Sequence, residues 1–182
     1  METQSLHIKN MCCPRCEMVV RRSLHELGIK LFDIELGKAM VERLDNKKLG
    51  QVQSKLAEAG FDLLDDPDSK MVEKIKIFCR EYLHKLEKEV LITRLSDYLA
   101  ANIGKNYSYL SKLFSQQEGI TIETYFLQLK IDRVKQLLHE GEMSLSEIAV
   151  RLHYSSVHYL SSQFKKIHGS TVSDYLKERK LA

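Results

Sequence analysis

The sequence of 182 residues contains no tryptophan, two prolines and eight glycines. Hydrophobic residues make up 43% and charged residues 29% of the chain, which excludes a disordered, collagen-like or low-complexity protein. No apolar run approaches the roughly 18 residues needed to cross a bilayer. The first residues also lack the basic and apolar segments of a signal peptide. We therefore expect a soluble cytoplasmic protein that does not associate with a membrane.

Cysteine and the motifs of catalysis are also scarce. Three of the four cysteines fall within residues 12–16, so they are too few and too clustered for a disulfide framework. The sequence has no glycine-rich phosphate loop, no nucleophile elbow and no paired carboxylates with a histidine at metal-binding spacing. We do not expect an enzyme.

The net charge of +3 conceals two segments of opposite sign. Residues 1–68 carry 10 basic and 12 acidic side chains, whereas residues 69–182 carry 18 basic and 13 acidic side chains. The change falls in an acidic stretch around Pro67, which ends any preceding helix or strand. We predict a domain boundary there, with domains at 1–68 and 69–182.

The first segment predicts a small α+β domain. Residues 6–9, 31–36, 39–44 and 61–64 have the patterns of strands. Apolar residues at helical spacing predict two helices between them, one ending at Gly28 and one at Gly60. The order β-α-β-β-α-β is typical of a ferredoxin-like fold, with helices on one face of a sheet. The two helical stripes are Met18, Val19, Leu24 and Leu27, and Leu49, Val52, Leu56 and Ala59.

The second segment is helical in pattern and contains an internal repeat. Seven residues recur at an offset of 50, so one supersecondary unit is expected twice. The first copy has Tyr109, Leu110, Ser111, Phe114, Gly119, Thr121 and Tyr125, and the second has Tyr159, Leu160, Ser161, Phe164, Gly169, Thr171 and Tyr175.

Each repeat has the lengths of a helix-turn-helix unit, at 93–102 with 106–117 and at 145–152 with 156–168. A helix over 121–139, with Thr121 as its N-cap, joins them. At about 1.5 Å per residue it is close to 30 Å long, comparable with the roughly 34 Å between successive major grooves on one DNA face. The candidate contacts to double-stranded DNA on the second helices are Asn106, Tyr107, Ser108, Lys112, Gln116, Ser156, His158, Tyr159, Ser162, Gln163, Lys165 and Lys166.

Residues 145–179 resemble the signature of AraC-type transcription regulators of bacteria, and the resemblance extends from Met71 to the end of the chain. It implies sequence-specific binding in two adjacent major grooves and contact with the transcription machinery. His153, Val172 and Lys130 stand where the family usually has Gly, Pro and Arg. We expect His153 to adopt a left-handed backbone conformation. A protein-binding helical bundle is the alternative interpretation of the repeat.

The cysteine motif Met11-Cys12-Cys13-Pro14-Arg15-Cys16 follows the first predicted strand and opens the first predicted helix. Cys13 and Cys16 are three residues apart, so both thiols converge near a helix N-terminus. The helix dipole and free N–H groups there favour the thiolate, which binds soft metals and attacks disulfides. Two thiolates suit Cu(I) or, with further ligands, Zn(II).

This arrangement resembles the heavy-metal-associated domain of copper chaperones and metal-pumping ATPases over residues 3–67, with Asn10 at the usual Gly position. Cys12 is additional. As a third thiolate it would favour three- or four-coordinate zinc, cadmium or another soft ion, and otherwise it is a small turn residue. A redox switch at the Cys13–Cys16 pair and a degenerate fold retained for partner contact are further alternatives.

We therefore predict a transcription regulator with a thiolate sensor domain and a double helix-turn-helix reader. The rivals are a redox-sensing regulator and a metal buffer or chaperone joined to a protein-interaction module. A helical stripe in the linking segment either packs inside its own chain or mediates a homodimer. The stripe consists of Met71, Ile75, Phe78, Tyr82 and Leu86.

Overall fold

The computed structural model describes residues 2–88 and 93–180. The chain divides into two compact units, Met1–Phe78 and Cys79–Ala182. The division falls inside a helix that begins at Pro67, whereas the change of charge placed the boundary at the start of that helix. No helix in the described ranges is long and apolar enough to cross a membrane.

The first unit has the predicted order of strands and helices, β-α-β-β-α-β. Each predicted strand is observed, with its limits shifted by a few residues. The elements are β1 (Thr3–Lys9), α1 (Pro14–Glu26), β2 (Leu31–Glu35), β3 (Lys38–Glu42), α2 (Asn46–Glu58) and β4 (Asp62–Leu64).

The four strands form one sheet in the order β2-β3-β1-β4, with every neighbouring pair antiparallel. On β1, Leu6 pairs with Ala39 and Ile8 pairs with Leu63. Leu6 and Ile8 are two residues apart, so they lie on the same face of the strand, and both belong to the buried core. Helices α1 and α2 contribute to that core with Val20, Leu24, Val52 and Leu56.

The stripe predicted for α1 is wrong in its first half. Met18 and Val19 are 69% and 42% exposed, whereas Val20 and Leu24 are fully buried. The buried face runs from Cys16 through Val20 to Leu24, at steps of four residues. Met18 lies two residues from Val20 and so points to the opposite side of the helix.

The second unit shows the repeat in its helix boundaries. The first helix of each copy starts at Leu95 or Leu145, and an offset of 50 recurs at the starts of the next two helices. The helices are α3 (Pro67–Lys88), which crosses into this unit, α4 (Leu95–Ile103), α5 (Tyr107–Glu118), α6 (Ile122–Glu140), α7 (Leu145–Arg151), α8 (Val157–His168) and α9 (Val172–Lys180).

Equivalent side chains build the core of both copies. Phe114 on α5 and Phe164 on α8 are fully buried. Their ring centroids lie 5.4 Å from that of Tyr125 and 5.6 Å from that of Tyr175, respectively. The Thr121 side chain accepts a hydrogen bond from the backbone N–H of Thr124, which confirms the predicted N-cap of α6.

His153 follows the last turn of α7 and has φ of +50°. The left-handed conformation predicted at this position is therefore observed. It lies in the turn between the two helices of the second copy, and Gly104, with φ of +74°, follows α4 in the turn of the first copy. A glycine would adopt this conformation with less strain than histidine.

Candidate nucleic-acid interface and thiol site

The thiol site lies in the turn between β1 and α1. Cys13 occupies the N-cap of α1 and Pro14 is its first residue, a position where proline loses no helical hydrogen bond. Asn10, at the usual glycine position of the resembled family, has φ of +70°. Its side-chain amide donates to the carbonyl oxygen of Gly60 at 3.1 Å, which ties the turn to the chain just before β4.

The structure brings the three predicted thiols together. The Sγ atom of Cys16 lies 3.6 Å from that of Cys12 and 3.6 Å from that of Cys13. All three sulfur atoms lie within 4.8 Å of one another. Cys12 is exposed, whereas Cys13 and Cys16 are half-buried. The cluster is therefore accessible from solvent and has the chemistry of a soft-metal or thiol–disulfide site.

The surroundings of Cys12 and Cys13 shift the pKa values of these two thiols in opposite directions. The backbone N–H of Cys16 favours the thiolate of Cys13 and lowers the pKa of that thiol. Partial desolvation and the neighbouring thiols raise the pKa of Cys12 to about 11. Cys13 is thus the better nucleophile of the two at neutral pH.

Cys79 belongs to the second unit and is not a member of this cluster. It is fully buried, and burial raises the pKa of its thiol to about 12. Its burial is typical of a core cysteine that packs as a small apolar side chain.

Most predicted DNA contacts on α5 lie on an open surface. Ser108, Lys112 and Gln116 are exposed at steps of four residues along one face. Asn106 is exposed as well, but its side chain accepts a hydrogen bond from the backbone N–H of Tyr109 at 2.8 Å and so caps α5. The remaining three side chains are free to meet base edges or phosphates.

The corresponding helix α8 is similar. His158, Tyr159, Ser162, Lys165 and Lys166 are exposed and Gln163 is half-buried. Ser156 caps the helix by accepting from the backbone N–H of Tyr159 at 3.0 Å, as Asn106 does in α5. Each copy therefore presents an open, capped helix that carries polar and basic side chains. Helix α8 has no acidic residue, and α5 has one, Glu118, at its last position.

Tyr107 departs from the predicted interface. Its ring is half-buried, and its hydroxyl donates to the carboxylate of Glu123. Burial and this carboxylate raise the pKa of Tyr107 well above its usual range. The residue joins the start of α5 to the start of α6 and does not extend from the open face. Its role as a DNA contact stays a prediction.

Tyr109 was not among the predicted DNA contacts, although its repeat equivalent was. It is 44% exposed, and its repeat equivalent Tyr159, which was included, is 49% exposed. The offset of 50 already paired the two tyrosines, so the repeat itself was the signal that identifies Tyr109.

Lys130 and Tyr154 form a contact between α6 and the turn of the second copy. The Lys130 ammonium nitrogen lies 3.8 Å from the centroid of the Tyr154 ring. Burial lowers the pKa of Lys130 to about 8. Tyr154 in turn lies beside Tyr159, with ring centroids 6.3 Å apart. Lys130, at the position where the resembled family usually has arginine, thus contacts Tyr154, which in turn lies beside Tyr159 at the start of α8.

Residues 99–178 match the family model described as "Helix-turn-helix domain". The chain is 24% identical over 159 residues to an uncharacterized HTH-type transcriptional regulator YtdP of Bacillus subtilis, a match that covers 86% of this chain and 21% of the relative. It is 28% identical over 153 residues to the probable transcriptional regulator LumQ of Photobacterium leiognathi, covering 83% and 58%. The C-terminal domain of the Geobacillus stearothermophilus response regulator AraT shares 26% identity, with a TM-score of 0.49 over 62% of this chain and 88% of that chain.

The family-model match lies within the segment predicted as the double helix-turn-helix unit. The chain spans about a fifth of the length of YtdP and 58% of that of LumQ. The two named relatives are described as transcriptional regulators.

Proposed function

We propose that the chain is a sequence-specific DNA-binding transcription regulator whose first unit senses a soft metal ion. The observation that carries this proposal is the presence of three sulfur atoms within 4.8 Å of one another on a chain that also has two capped helix-turn-helix copies. The β-α-β-β-α-β order with antiparallel pairing supports a ferredoxin-like domain of the heavy-metal-associated type.

The DNA contacts fall to the open faces of α5 and α8. Ser108, Lys112, Ser162 and Lys166 reach base edges and phosphates, and α6 holds the two helices apart. Its 19 residues span about 28 Å at about 1.5 Å per residue, near the distance between adjacent major grooves on one face. The net charge of the chain is only +3, so nonspecific attraction to phosphates is weak. Specificity therefore depends more on the paired groove contacts, and on dimerisation if the chain forms a dimer.

Cys13 and Cys16, with Cys12, would hold Cu(I) or Zn(II), which would link the thiols and fix the conformation of the turn. Helix α3 is the element that would transmit metal binding at the cysteine turn to the helix-turn-helix unit. Near its middle, the Ile77 side chain packs so closely on Gly37 that a Cβ there would lie 2.5 Å from Ile77 Cδ1. Near its end, Glu87 is bonded to Arg133 on α6. Sensing requires a different metal affinity in two arrangements of α3.

The test is selection of bound DNA from a random pool by the full chain, with Cu(I), with Zn(II) and with reductant alone. We expect one enriched sequence whose affinity changes with metal. A Cys13→Ser, Cys16→Ser protein should bind the same sequence without the metal effect, and Cys79→Ala is the matched control that should behave as wild type. Absence of any enriched sequence under all three conditions would overturn the proposed sequence-specific regulator.

The sulfur separations also favour a second candidate, a thiol–disulfide sensor. Cys13 and Cys16 are 3.6 Å apart at Sγ, and a disulfide needs about 2.05 Å. With glutathione disulfide as oxidant, the two thiols would give up two protons and two electrons, and two glutathione molecules would be released. A DNA affinity that follows this oxidation in metal-free protein would select the redox sensor over the metal sensor.

A further inference from the structure

The arrangement of the three thiols limits the geometry of an ion bound among them. Cys16 is the shared neighbour, with its Sγ atom 3.6 Å from Cys12 and 3.6 Å from Cys13. All three sulfurs lie within 4.8 Å of one another. A central ion could therefore bond to all three with little movement of the turn.

Sulfur separations distinguish a linear ion from a bent one. An ion on the line between two sulfurs, with bonds of about 2.3 Å, would hold the sulfurs about 4.6 Å apart. Sulfurs that are 3.6 Å apart subtend an angle of about 100° at an ion with the same bond length. For the two pairs that include Cys16, that angle fits a pyramidal or tetrahedral ion, and a linear two-coordinate ion bonded to Cys16 would require the thiols to separate.

A tetrahedral ion needs a fourth ligand. Among residues 2–88 and 93–180, no histidine, aspartate or glutamate ligand atom joins the three sulfurs within 4.8 Å. The cluster therefore offers three soft donors from one short turn. A soft ion that is complete with three sulfur ligands matches this donor set better than tetrahedral zinc does.

We propose that Cys12, Cys13 and Cys16 form a trithiolate site for a pyramidal three-coordinate soft ion, of which trivalent arsenic is the representative. The inference rests on the proposed soft-metal function and restricts the choice of ion to one that three sulfur ligands complete. In the reaction with arsenous acid, three As–S bonds form and three As–O bonds break. The three thiol protons leave with the three hydroxyl groups as water, and the oxidation state of arsenic is unchanged.

The test uses the full chain in a thiol-free reductant and arsenite as the probe. X-ray absorption at the arsenic edge counts the sulfur neighbours, and a titration gives the affinity. We expect about one arsenic per chain with three sulfur neighbours. Cys12→Ser should lower the arsenite affinity by about tenfold or more and leave two sulfur neighbours, but it should retain Cu(I). Cys79→Ala, the matched control, should bind as wild type does.

Two sulfur neighbours in the wild-type protein, or an unchanged arsenite affinity in Cys12→Ser, would overturn the trithiolate site. Either result would leave a two-thiolate sensor at Cys13 and Cys16 intact. The sensor itself is tested by DNA affinity, measured in the same samples with and without Cu(I) or arsenite. If neither ion changes DNA affinity, the sensor fails although the sulfur count stands.

Discussion

Arg133 on α6 donates two hydrogen bonds to the Glu87 carboxylate on α3, from Nε to Oε1 at 2.8 Å and from Nη2 to Oε2 at 3.1 Å. The Glu87 side chain is only 8% exposed and that of Arg133 is 24% exposed. Arg151 on α7 adds a third contact, 3.5 Å from Glu87 Oε2. One carboxylate therefore ties the end of α3 to two helices of the second helix-turn-helix copy.

Glu87→Gln should destabilise this part of the molecule, because it removes the charge that both arginines share while preserving shape. We expect a loss of about 1–3 kcal/mol, measured from amide hydrogen exchange in α6 and α7. The matched control is Glu2→Gln, whose partner Arg43 forms an exposed pair with it. The control should change stability by less than about 0.5 kcal/mol. Equal effects of the two substitutions would contradict the buried role of Glu87.

The two copies of the repeat differ at the start of their first helices. Ser144 and Glu147 form a reciprocal capping box at α7, and the equivalent position of α4 is Arg94, which makes no side-chain cap. Arg94→Ser should supply the missing cap and stabilise α4 by about 0.5–1 kcal/mol. Ser144→Ala should have the opposite sign and cost about 1 kcal/mol.

Hydrogen exchange of the amides in the first turns of α4 and α7 measures both changes. Ser146→Ala is the control at α7, because Ser146 is exposed inside the helix and caps nothing. Faster exchange in α4 of Arg94→Ser would mean that Arg94 contributes a contact that outweighs the cap.

The sequence predicted the elements of both units well because their signals are local. Strand alternation, N-caps and the offset of 50 depend on neighbouring residues, and the observed helix starts at Leu95 and Leu145 preserve that offset. The α1 stripe failed because three consecutive apolar residues, Met18, Val19 and Val20, do not indicate which of them faces the sheet. The burial of Val20 depends on strands that are distant in sequence.

The sequence predicted which residues belong to the candidate sites better than it predicted how those residues are arranged. The spacing of Cys13 and Cys16 placed them together, and only the fold of the turn shows that Cys12 approaches Cys16 equally closely. The Glu123 partner of Tyr107 could not be predicted, because it belongs to the next helix. Nor does any local pattern identify the pairing of Glu87 with Arg133, 46 residues later.

The surroundings of two neighbouring tyrosines on α5 predict different roles in DNA binding. Tyr109 is exposed on the open face, whereas the Tyr107 hydroxyl is engaged by Glu123. Tyr109→Ala and Tyr159→Ala should each weaken specific DNA binding by about 1 kcal/mol or more. Tyr107→Phe should change it by no more than about 0.5 kcal/mol.

Fluorescence anisotropy with the selected DNA measures these affinities, and an unchanged circular dichroism spectrum shows that each variant is folded. A large loss in Tyr107→Phe with none in Tyr109→Ala would reverse the assignment of the two residues.

The surroundings of Lys130 predict a pH dependence of stability. Burial lowers its pKa to about 8 in the folded chain, against about 10.4 for a free lysine. Between these values the unfolded chain binds more protons, so stability should rise with pH; below about pH 8 the full cost of the buried charge is present. Lys130→Met should therefore stabilise the second unit at pH 7, by about 1 kcal/mol, because partial exposure and the Tyr154 ring offset part of that cost.

Denaturation of both proteins from pH 7 to pH 10 tests this expectation, since their difference in stability should shrink as Lys130 loses its proton. Lys130→Arg is the matched variant that keeps a charge over the whole range, so it should not gain stability with pH through this position. Lys105→Met controls for the removal of an exposed lysine from the same unit. If Lys130→Met is the less stable protein at pH 7, the attraction between the ammonium and the Tyr154 ring exceeds the cost of burying the charge.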